Sequence, residues 1–183
     1  MNWKLTGSVN FYESDVDISN TVFDSNNCED ALNIIRSTFL ISDSKFSRTF
    51  GDAFDADFCT GEVIGTSFVN IGNDAIDVSG SELIVRNTKI NTTGDKGISA
   101  GENSKVTCYN TTIAESVIAV ASKDKSKVDI EKIDIKNCHT GFAAFQKKPE
   151  FGPATITLQN FKFTNVKNQY MIEDGSSLDT NDQ

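Results

Sequence analysis

The sequence lacks several features that would assign it to a common class. No apolar stretch approaches the length of a membrane span, and the first residues, Met1-Asn2-Trp3-Lys4, lack the apolar run of a secretion signal. No helical pattern is visible, which argues against an α-helical fold. There is one histidine, His139, and no cysteine pair has zinc-ligand spacing, so a zinc site is not expected.

Basic residues are also in deficit. The chain has 17 Lys and Arg against 26 Asp and Glu, for a formal net charge of −9 and a pI near 4.6. This balance argues against nucleic acid or an anionic membrane as the main partner, because both repel an acidic protein. Cationic ligands, calcium or neutral sugars fit the charge better.

A short motif recurs along the chain. Each copy opens on a small or β-branched residue, and another apolar residue follows one and three positions later, as Phe54 and Ala56 follow Ala53. The intervals between copies are 22, 22, 22, 20 and 24 residues. The opening residues, or markers, are Ala31, Ala53, Ala75, Gly97, Val117 and Gly141. This period predicts a solenoid of short strands.

The same alternation returns twice within each interval, for example at Leu83 to Val85 and at Ile90. Three short strands in a turn of about 22 residues are typical of a right-handed parallel β-helix, whose inward side chains stack at about 4.8 Å. The sequence therefore predicts an all-β, single-stranded β-helix of about seven turns. We expect one domain over residues 1–178 and a disordered polar tail over residues 179–183.

The cysteines can be judged from the same repeat. Cys28 and Cys138 both lie three residues before a marker, at one corner but five turns apart, which is about 24 Å and beyond disulfide reach. Cys59 and Cys108 occupy other phases of the repeat. We expect free and mostly buried thiols.

Chemistry on a β-helix belongs on an outward face, because the inward columns are sealed. The markers predict two outward columns on one sheet: Asn33, Asp55, Asp77, Ser99, Ala119 and Ala143, and then Ile35, Asp57, Ser79, Gly101, Ala121 and Phe145. Asp55 and Asp77 should lie about 5 Å apart, where like charges cost about 3 kcal/mol at an effective dielectric of about 20. A bound cation, a shared proton or nearby lysines could offset this cost, although an ordinary solubilising surface is the alternative.

A third column holds the residues immediately before the markers. It contains Asp52 and Asp74 and continues with Lys96. Lys123, Lys147 and Lys148 follow on later turns, so the face is expected to run from acidic to basic along the rod. For any single one of these lysines, plain surface charge is the favoured interpretation.

One connection, after Gly141, is about seven residues longer than the repeat requires. Both prolines lie in it, within residues 146–153, and they stiffen it. Phe151 could stack on a sugar ring from this loop or fold back onto apolar surface.

The segments 72–81 and 94–101 resemble turns of the pectate-lyase-like right-handed parallel β-helix superfamily, and the resemblance runs from about Val9 to Leu178. The spacing is similar to that of polygalacturonase-type glycoside hydrolases, in which three aspartates, a histidine and a basic pair line one groove. The resemblance would place Asp52 at the first aspartate and Asn73-Asp74 at the aspartate pair. Lys96 stands where the histidine should be, and the arginine is missing, so the chain departs from the hydrolase pattern.

The lyase branch of the superfamily uses aspartate-bound calcium to acidify a uronate and a Lys or Arg as the base. By this resemblance the candidate calcium ligands are Asp55, Asp57 and Asp77. The candidate catalytic residues are Asp55, Asp77, Lys96 and Lys123, with the last near the position of the basic pair.

Three functions remain open, and whether the chain is an enzyme stays undecided. The first is a secreted or cell-surface module, part of a larger protein, that binds a polysaccharide along this face. Its further ligand-binding residues would be Asp52, Asp74, Lys147, Lys148 and Phe151. The second is a calcium-dependent lyase or epimerase acting on uronate polymers, and the third is a structural spacer. The expected partners are an extended carbohydrate and further domains of the same polypeptide, without nucleic acid or a membrane span.

Overall fold

In a computed structural model, which describes residues 5–180, the chain forms a parallel β-helix of 23 short strands. Three strands complete one turn, and each of the three belongs to a different parallel sheet. Within residues 5–180 there is no helix that could cross a membrane.

Sheet A contains the first strand of each turn: β1 (Gly7–Tyr12), β4 (Asp30–Ile35), β7 (Asp52–Asp57), β10 (Ile76–Ser79), β13 (Lys96–Gly101), β16 (Ile118–Lys123), β19 (Thr140–Phe145) and β22 (Asn168–Ile172). Sheet B contains the second: β2 (Val16–Ser19), β5 (Thr38–Ser42), β8 (Thr60–Ile64), β11 (Glu82–Arg86), β14 (Lys105–Tyr109), β17 (Lys127–Ile130), β20 (Thr155–Leu158) and β23 (Ser177–Thr180). Sheet C contains the third: β3 (Val22–Asp24), β6 (Lys45–Thr49), β9 (Ser67–Ile71), β12 (Lys89–Thr93), β15 (Thr111–Ala114), β18 (Ile133–Lys136) and β21 (Phe161–Thr164).

The predicted fold is confirmed, with about eight turns instead of seven. The sequence repeat missed the first turn, because the position opposite Ala31 holds Ser8 in place of a small apolar residue. The last strand, Ser177–Thr180, runs two residues past the expected domain boundary at 178. Residues 181–183 of the expected tail lie outside the described range.

The core consists of inward columns that stack from turn to turn. In sheet C the rings of Phe23, Phe46 and Phe68 stack with centroids 4.5 and 4.9 Å apart and nearly parallel planes. In sheet A the column includes Phe54, Ile76 and Ile98, all fully buried. The side chains therefore repeat at the spacing of the strands, and burial of these apolar side chains stabilises the fold.

One predicted marker is wrong. The register pairs Ile98 with Val120 and Val120 with Phe142, so the residue equivalent to Gly97 is Ala119 and not Val117. The interval is then 22 residues at every step from Ala31 to Gly141. Val117 is an exposed corner residue instead. In this register Ser122 is the inward residue that follows Val120 on β16. The core tolerates it because its Oγ donates a hydrogen bond to the carbonyl of Ser126 at 3.0 Å.

The long connection after β19 is close to its predicted size. Phe142 pairs with Tyr170, which leaves six residues beyond the repeat rather than about seven. Cys59, Cys108 and Cys138 are buried and Cys28 is exposed, and all four thiols are free, as predicted.

Candidate functional site

The outward face of sheet A carries three columns of side chains, which differ from the predicted columns at β16. The first column is Asp30, Asp52, Asp74, Lys96, Ile118 and Thr140; the central column is Asn33, Asp55, Asp77, Ser99, Ala121 and Ala143; the last column is Ile35, Asp57, Ser79, Gly101, Lys123 and Phe145. Ala121 and Lys123 therefore replace the predicted Ala119 and Ala121. We call Asn33, Asp52, Asp55, Asp57, Asp74, Asp77, Lys96, Ser99 and Lys123 the acidic face.

Asp55 lies at the centre of this face, in register with Asn33 and Asp77 on the neighbouring turns. The side-chain amide of Asn33 donates to Asp55 Oδ2 at 2.9 Å and to Asp30 Oδ2 at 3.3 Å. Burial raises the pKa of Asp55 to about 9, and the charges of nearby carboxylates, Asp57 first, add to the increase. Asp55 is therefore protonated at neutral pH and has an O–H group that can donate a hydrogen bond.

The carboxylates of the first column join consecutive turns. Asp52 Oδ1 accepts hydrogen bonds from the backbone N–H of Asp74 at 2.8 Å and from the side chain of Asn73 at 2.7 Å. Asp74 Oδ1 accepts the backbone N–H of Lys96 at 2.9 Å and lies 3.5 Å from the Lys96 ammonium. Burial raises the pKa of Asp52 to about 7 and also raises that of Asp74, although Lys96 opposes the second shift.

The electrostatics of Lys96 differ from those of the carboxyl groups. Burial alone would lower its pKa, but Asp74 and Asp95 outweigh this effect, so the net shift is upward. Lys96 also forms a short ion pair with Asp95. The first column thus combines a structural role, through its backbone hydrogen bonds, with a lysine that stays charged beside the central column.

Lys123 is an integral part of the acidic face. Its Nζ lies 3.7 Å from Asp77 Oδ1, two turns away, and the residue is only 7% exposed. The side chain passes over Gly101, where a Cβ atom would lie 3.4 Å from Lys123 Cε. Because Gly101 has no side chain, the side chain of Lys123 can pass over it. Along the rod the aspartates of β4, β7 and β10 precede Lys96 on β13 and Lys123 on β16, and the Lys123 side chain reaches back over two turns to Asp77.

The loop over residues 146–153 borders the acidic face at the corner that follows sheet A. The buried Asp124 holds it, because Asp124 Oδ1 accepts the backbone N–H groups of Lys147 at 2.7 Å and Lys148 at 2.6 Å. The ammonium of Lys148 pairs with Glu102. Phe151 is half-buried, and its carbonyl accepts a hydrogen bond from the Gln146 side chain at 3.2 Å. The structure therefore does not bring Lys147, Lys148 or Phe151 onto the sheet.

Asp57 belongs to the acidic face and also interacts electrostatically with Glu102 and Lys148 beside the loop. Burial raises its pKa, the charge of Glu102 adds to the increase, and Lys148 opposes it.

Seven of the predicted site residues share the acidic face: Asp52, Asp55, Asp57, Asp74, Asp77, Lys96 and Lys123.

Unpartnered polar atoms concentrate in the central column. Five buried side-chain oxygens within residues 5–180 have no hydrogen-bond partner, and three of them belong to this column: Asn33 Oδ1, Asp77 Oδ1 and Ser99 Oγ. Asn33 is 2% exposed and Ser99 is fully buried. Each such atom costs about 1–3 kcal/mol when it stays unpaired. Asn33 and Ser99 were not among the predicted site residues, although their place in the column could have identified them.

The predicted calcium ligands do not form a ready-made metal site. Across the described part of the chain, no group of three or more His, Cys, Asp or Glu side chains is placed to hold a metal ion. The Lys123 ammonium already supplies positive charge to Asp77. A proton on Asp55 further lowers the negative charge that a cation would need.

Comparisons with known proteins agree with the architecture. The family model described as a right handed beta helix region matches residues 30–182. The A-module of the mannuronan C-5 epimerase AlgE4 from Azotobacter vinelandii is a similar solved structure, with 8% sequence identity and a TM-score of 0.42. The match covers 89% of this chain and 57% of that chain, so this chain spans little more than half the module's length. At this level the likeness carries no functional argument. No curated protein sequence matches the chain.

Proposed function

The chain belongs to the right-handed β-helix family, and from its acidic face we propose that it binds a polysaccharide along the central column of sheet A. The observation that carries this proposal is the set of oxygens without a hydrogen-bond partner on Asn33, Asp77 and Ser99, of which the Asp77 oxygen is ion-paired with Lys123. With Asp55 between them, these residues occupy four consecutive turns, a length of about 14 Å at the strand spacing. An extended ligand with many hydroxyl groups suits such a row better than one small molecule.

The chemistry of the row also matches sugar hydroxyls, which both donate and accept hydrogen bonds. The half-buried Asp77 offers acceptor oxygens and the half-buried, protonated Asp55 offers a donor, while the buried Asn33 and Ser99 continue the column at either end. Lys96 and Lys123 add positive charge that suits a sugar carboxylate. A secreted or cell-surface setting, within a larger polypeptide, is part of this proposal.

A glycan array followed by calorimetry tests the binding. We expect the wild-type chain to bind a linear polysaccharide, and the double variant Asp55→Ala with Lys123→Ala to bind at least about tenfold more weakly, a change of about 1.4 kcal/mol. Ser99→Ala should leave the melting temperature unchanged or raise it, since it removes a buried hydroxyl that has no hydrogen-bond partner. Asp129→Ala, on the exposed outward face of sheet B, is the matched control. If the chain binds no glycan on the array, the result would favour a structural spacer.

A uronate lyase or epimerase is a second candidate. The observation that favours it is the close approach of Lys123 to Asp77, with the proton-bearing Asp55 one turn away, which places possible basic and acidic groups on one face. Elimination and epimerisation both begin with removal of the proton beside a uronate carboxyl group. Asp55, Asp77, Lys96 and Lys123 would be the catalytic residues.

Activity and calcium dependence are measured separately. Uronate polymers that give rise to ultraviolet absorbance of an unsaturated product, in wild type but not in Lys123→Ala, would support the lyase. For calcium, with Asp55, Asp57 and Asp77 as ligands, millimolar calcium should raise the melting temperature of the wild type and not that of Asp77→Asn. Unchanged melting in both chains would contradict a calcium-dependent enzyme.

A further inference from the structure

The corners that follow six of the eight strands of sheet A, from β1 to β16, have a left-handed backbone. We call these corner positions the rim: Glu13, Arg36, Phe58, Gly80, Glu102 and Asp124, with φ between 47° and 61°. Apart from Gly80, every rim position except Phe58 carries a charged side chain, and among these Asp124 is buried under the loop over residues 146–153. This backbone is the ordinary corner geometry of the solenoid, because many other corners within residues 5–180 also have a non-glycine residue at positive φ. Phe58 therefore differs from the other rim positions in its side chain and not in its backbone.

The Phe58 side chain is exposed but held in place. Phe58 is 61% exposed. On the next turn, a Cβ at Gly80 would lie 2.8 Å from Phe58 Cδ1 and 2.9 Å from Cε1, so the ring occupies the space that a side chain at 80 would need. On the previous turn, the Arg36 guanidinium lies 6.0 Å from the ring centroid. The ring is thus fixed between two turns while most of its surface faces solvent.

The position of Phe58 relates it to the acidic face. It directly follows Asp57, on the turn that also carries Asp52 and Asp55. The ring lies outside the core, and it occupies the space that a side chain at position 80 would need. A ligand on the neighbouring polar column would therefore meet an exposed ring whose position is fixed.

We propose that the Phe58 ring is the platform on which a pyranose ring of the bound polysaccharide stacks at the edge of the acidic face. This inference rests on the proposed function and adds its apolar contact. The C–H face of a pyranose packs on an aromatic ring, while its hydroxyl groups reach toward the half-buried Asp57 and Asp55 on the same turn. The ligand is therefore a polymer of pyranose sugars, and an anionic chain without sugar rings would lack this contact.

Phe50 provides a matched control. It lies at the opposite end of β7, just before Asp52, and is 75% exposed. The glycine on its next turn, Gly72, approaches its backbone carbonyl rather than its ring. Phe50 is therefore an exposed phenylalanine on the same turn that lacks the glycine contact by which the Phe58 ring is held.

Isothermal titration calorimetry with cellohexaose, hexagalacturonate and hexamannuronate tests the platform. For the hexasaccharide that binds best, Phe58→Leu should weaken affinity about tenfold, because leucine keeps the apolar bulk but loses the flat ring. Phe58→Tyr and Phe50→Leu should stay within about twofold of the wild type. Melting curves should show that all three variants fold.

The outcomes separate this inference from the proposed function. If the double variant Asp55→Ala with Lys123→Ala loses binding and Phe58→Leu does not, the platform is wrong and the binding face stands. If Phe58→Leu loses binding and the double variant does not, the platform stands and the proposed use of the central column is wrong. Equal losses in Phe50→Leu and Phe58→Leu would contradict a specific platform. Absence of binding to all three hexasaccharides would contradict both proposals.

Discussion

The carboxyl group of Asp55 shows how the solenoid changes the chemistry of single residues. In an unfolded chain an aspartate has a pKa near 3.9. Stacking of the turns buries Asp55 among other carboxyl groups, and its pKa rises to about 9. Burial also raises the pKa of Asp52 to about 7 and moves those of Asp30, Asp57 and Asp74 upward. The folded chain therefore binds more protons than the unfolded chain at mildly acidic and neutral pH.

This excess of bound protons predicts that stability falls as pH rises. A raised carboxyl pKa contributes stability that is fully present below the unfolded value near 3.9 and is lost as pH passes through the folded value, here between about 4 and 9. We expect the melting temperature to decrease from pH 5 to pH 9. Circular dichroism melts at intermediate pH values measure the slope.

Asp55→Asn should make that slope shallower and raise the melting temperature at pH 8, because asparagine has no proton to lose. One pKa unit corresponds to about 1.4 kcal/mol, which is the smallest gain in unfolding free energy that we expect. Asp129→Asn, on an exposed position of sheet B, should leave the slope unchanged. A melting temperature that rises with pH in the wild type would contradict the proposed protonation.

At the scale of structural elements, the loop over residues 146–153 depends on a neighbouring turn. Asp124 is 1% exposed, and one of its oxygens accepts two backbone N–H groups at the start of the loop. The backbone of Lys125 also donates to the carbonyl of Gly152 at 2.8 Å, at the other end of the loop. The loop is thus fixed at both ends beside the last column of the acidic face.

Loss of the Asp124 carboxylate should release this loop. Asp124→Gly removes the acceptor without straining a backbone at φ 53°, and we expect it to cost about 1–3 kcal/mol and to make residues 146–153 sensitive to protease. Asp124→Asn keeps an acceptor oxygen and tolerates the same backbone, so it should resist cleavage nearly as well as the wild type. Limited proteolysis with mass mapping measures both. Equal cleavage rates in Asp124→Gly and the wild type would show that this carboxylate does not hold the loop.

At the scale of the whole molecule, each turn packs mainly on its two neighbours. The central turns bury their inward side chains fully, as at Phe54, Ile76 and Ile98, whereas every residue of β22 is exposed. In such a one-dimensional architecture, local opening follows the burial of each turn rather than a single global transition.

Hydrogen exchange followed by mass spectrometry should reveal this gradient. We expect the amides of β1 to β3 and of β22 and β23 to exchange first and those of β7 to β18 last, because the central strands are paired on both edges and buried inward. Phe68→Ala should speed exchange mainly in the turns beside β9, by removing one ring of the stacked column. Uniform exchange along the chain would indicate global cooperativity instead.

Much of the architecture could be predicted because a β-helix turns a linear period into spatial neighbours. Apolar alternation identified the inward columns, and the 22-residue interval correctly paired Asp55 with Asp77. The spacing of Cys28 and Cys138 also excluded a bond between them. These properties follow from local periodicity, so they required no knowledge of how side chains meet.

The position of Lys123 could not be predicted in this way. The segment Val117-Ile118-Ala119-Val120 satisfies the apolar alternation in two registers, and the correct one places the polar Ser122 inward, where a hydrogen bond to Ser126 compensates for its burial. Register depends on strand pairing across turns, and a shift of two residues keeps the same face but changes every neighbour. The ion pair with Asp77, the path over Gly101 and the proton on Asp55 all depend on distances between turns, which a linear pattern does not contain.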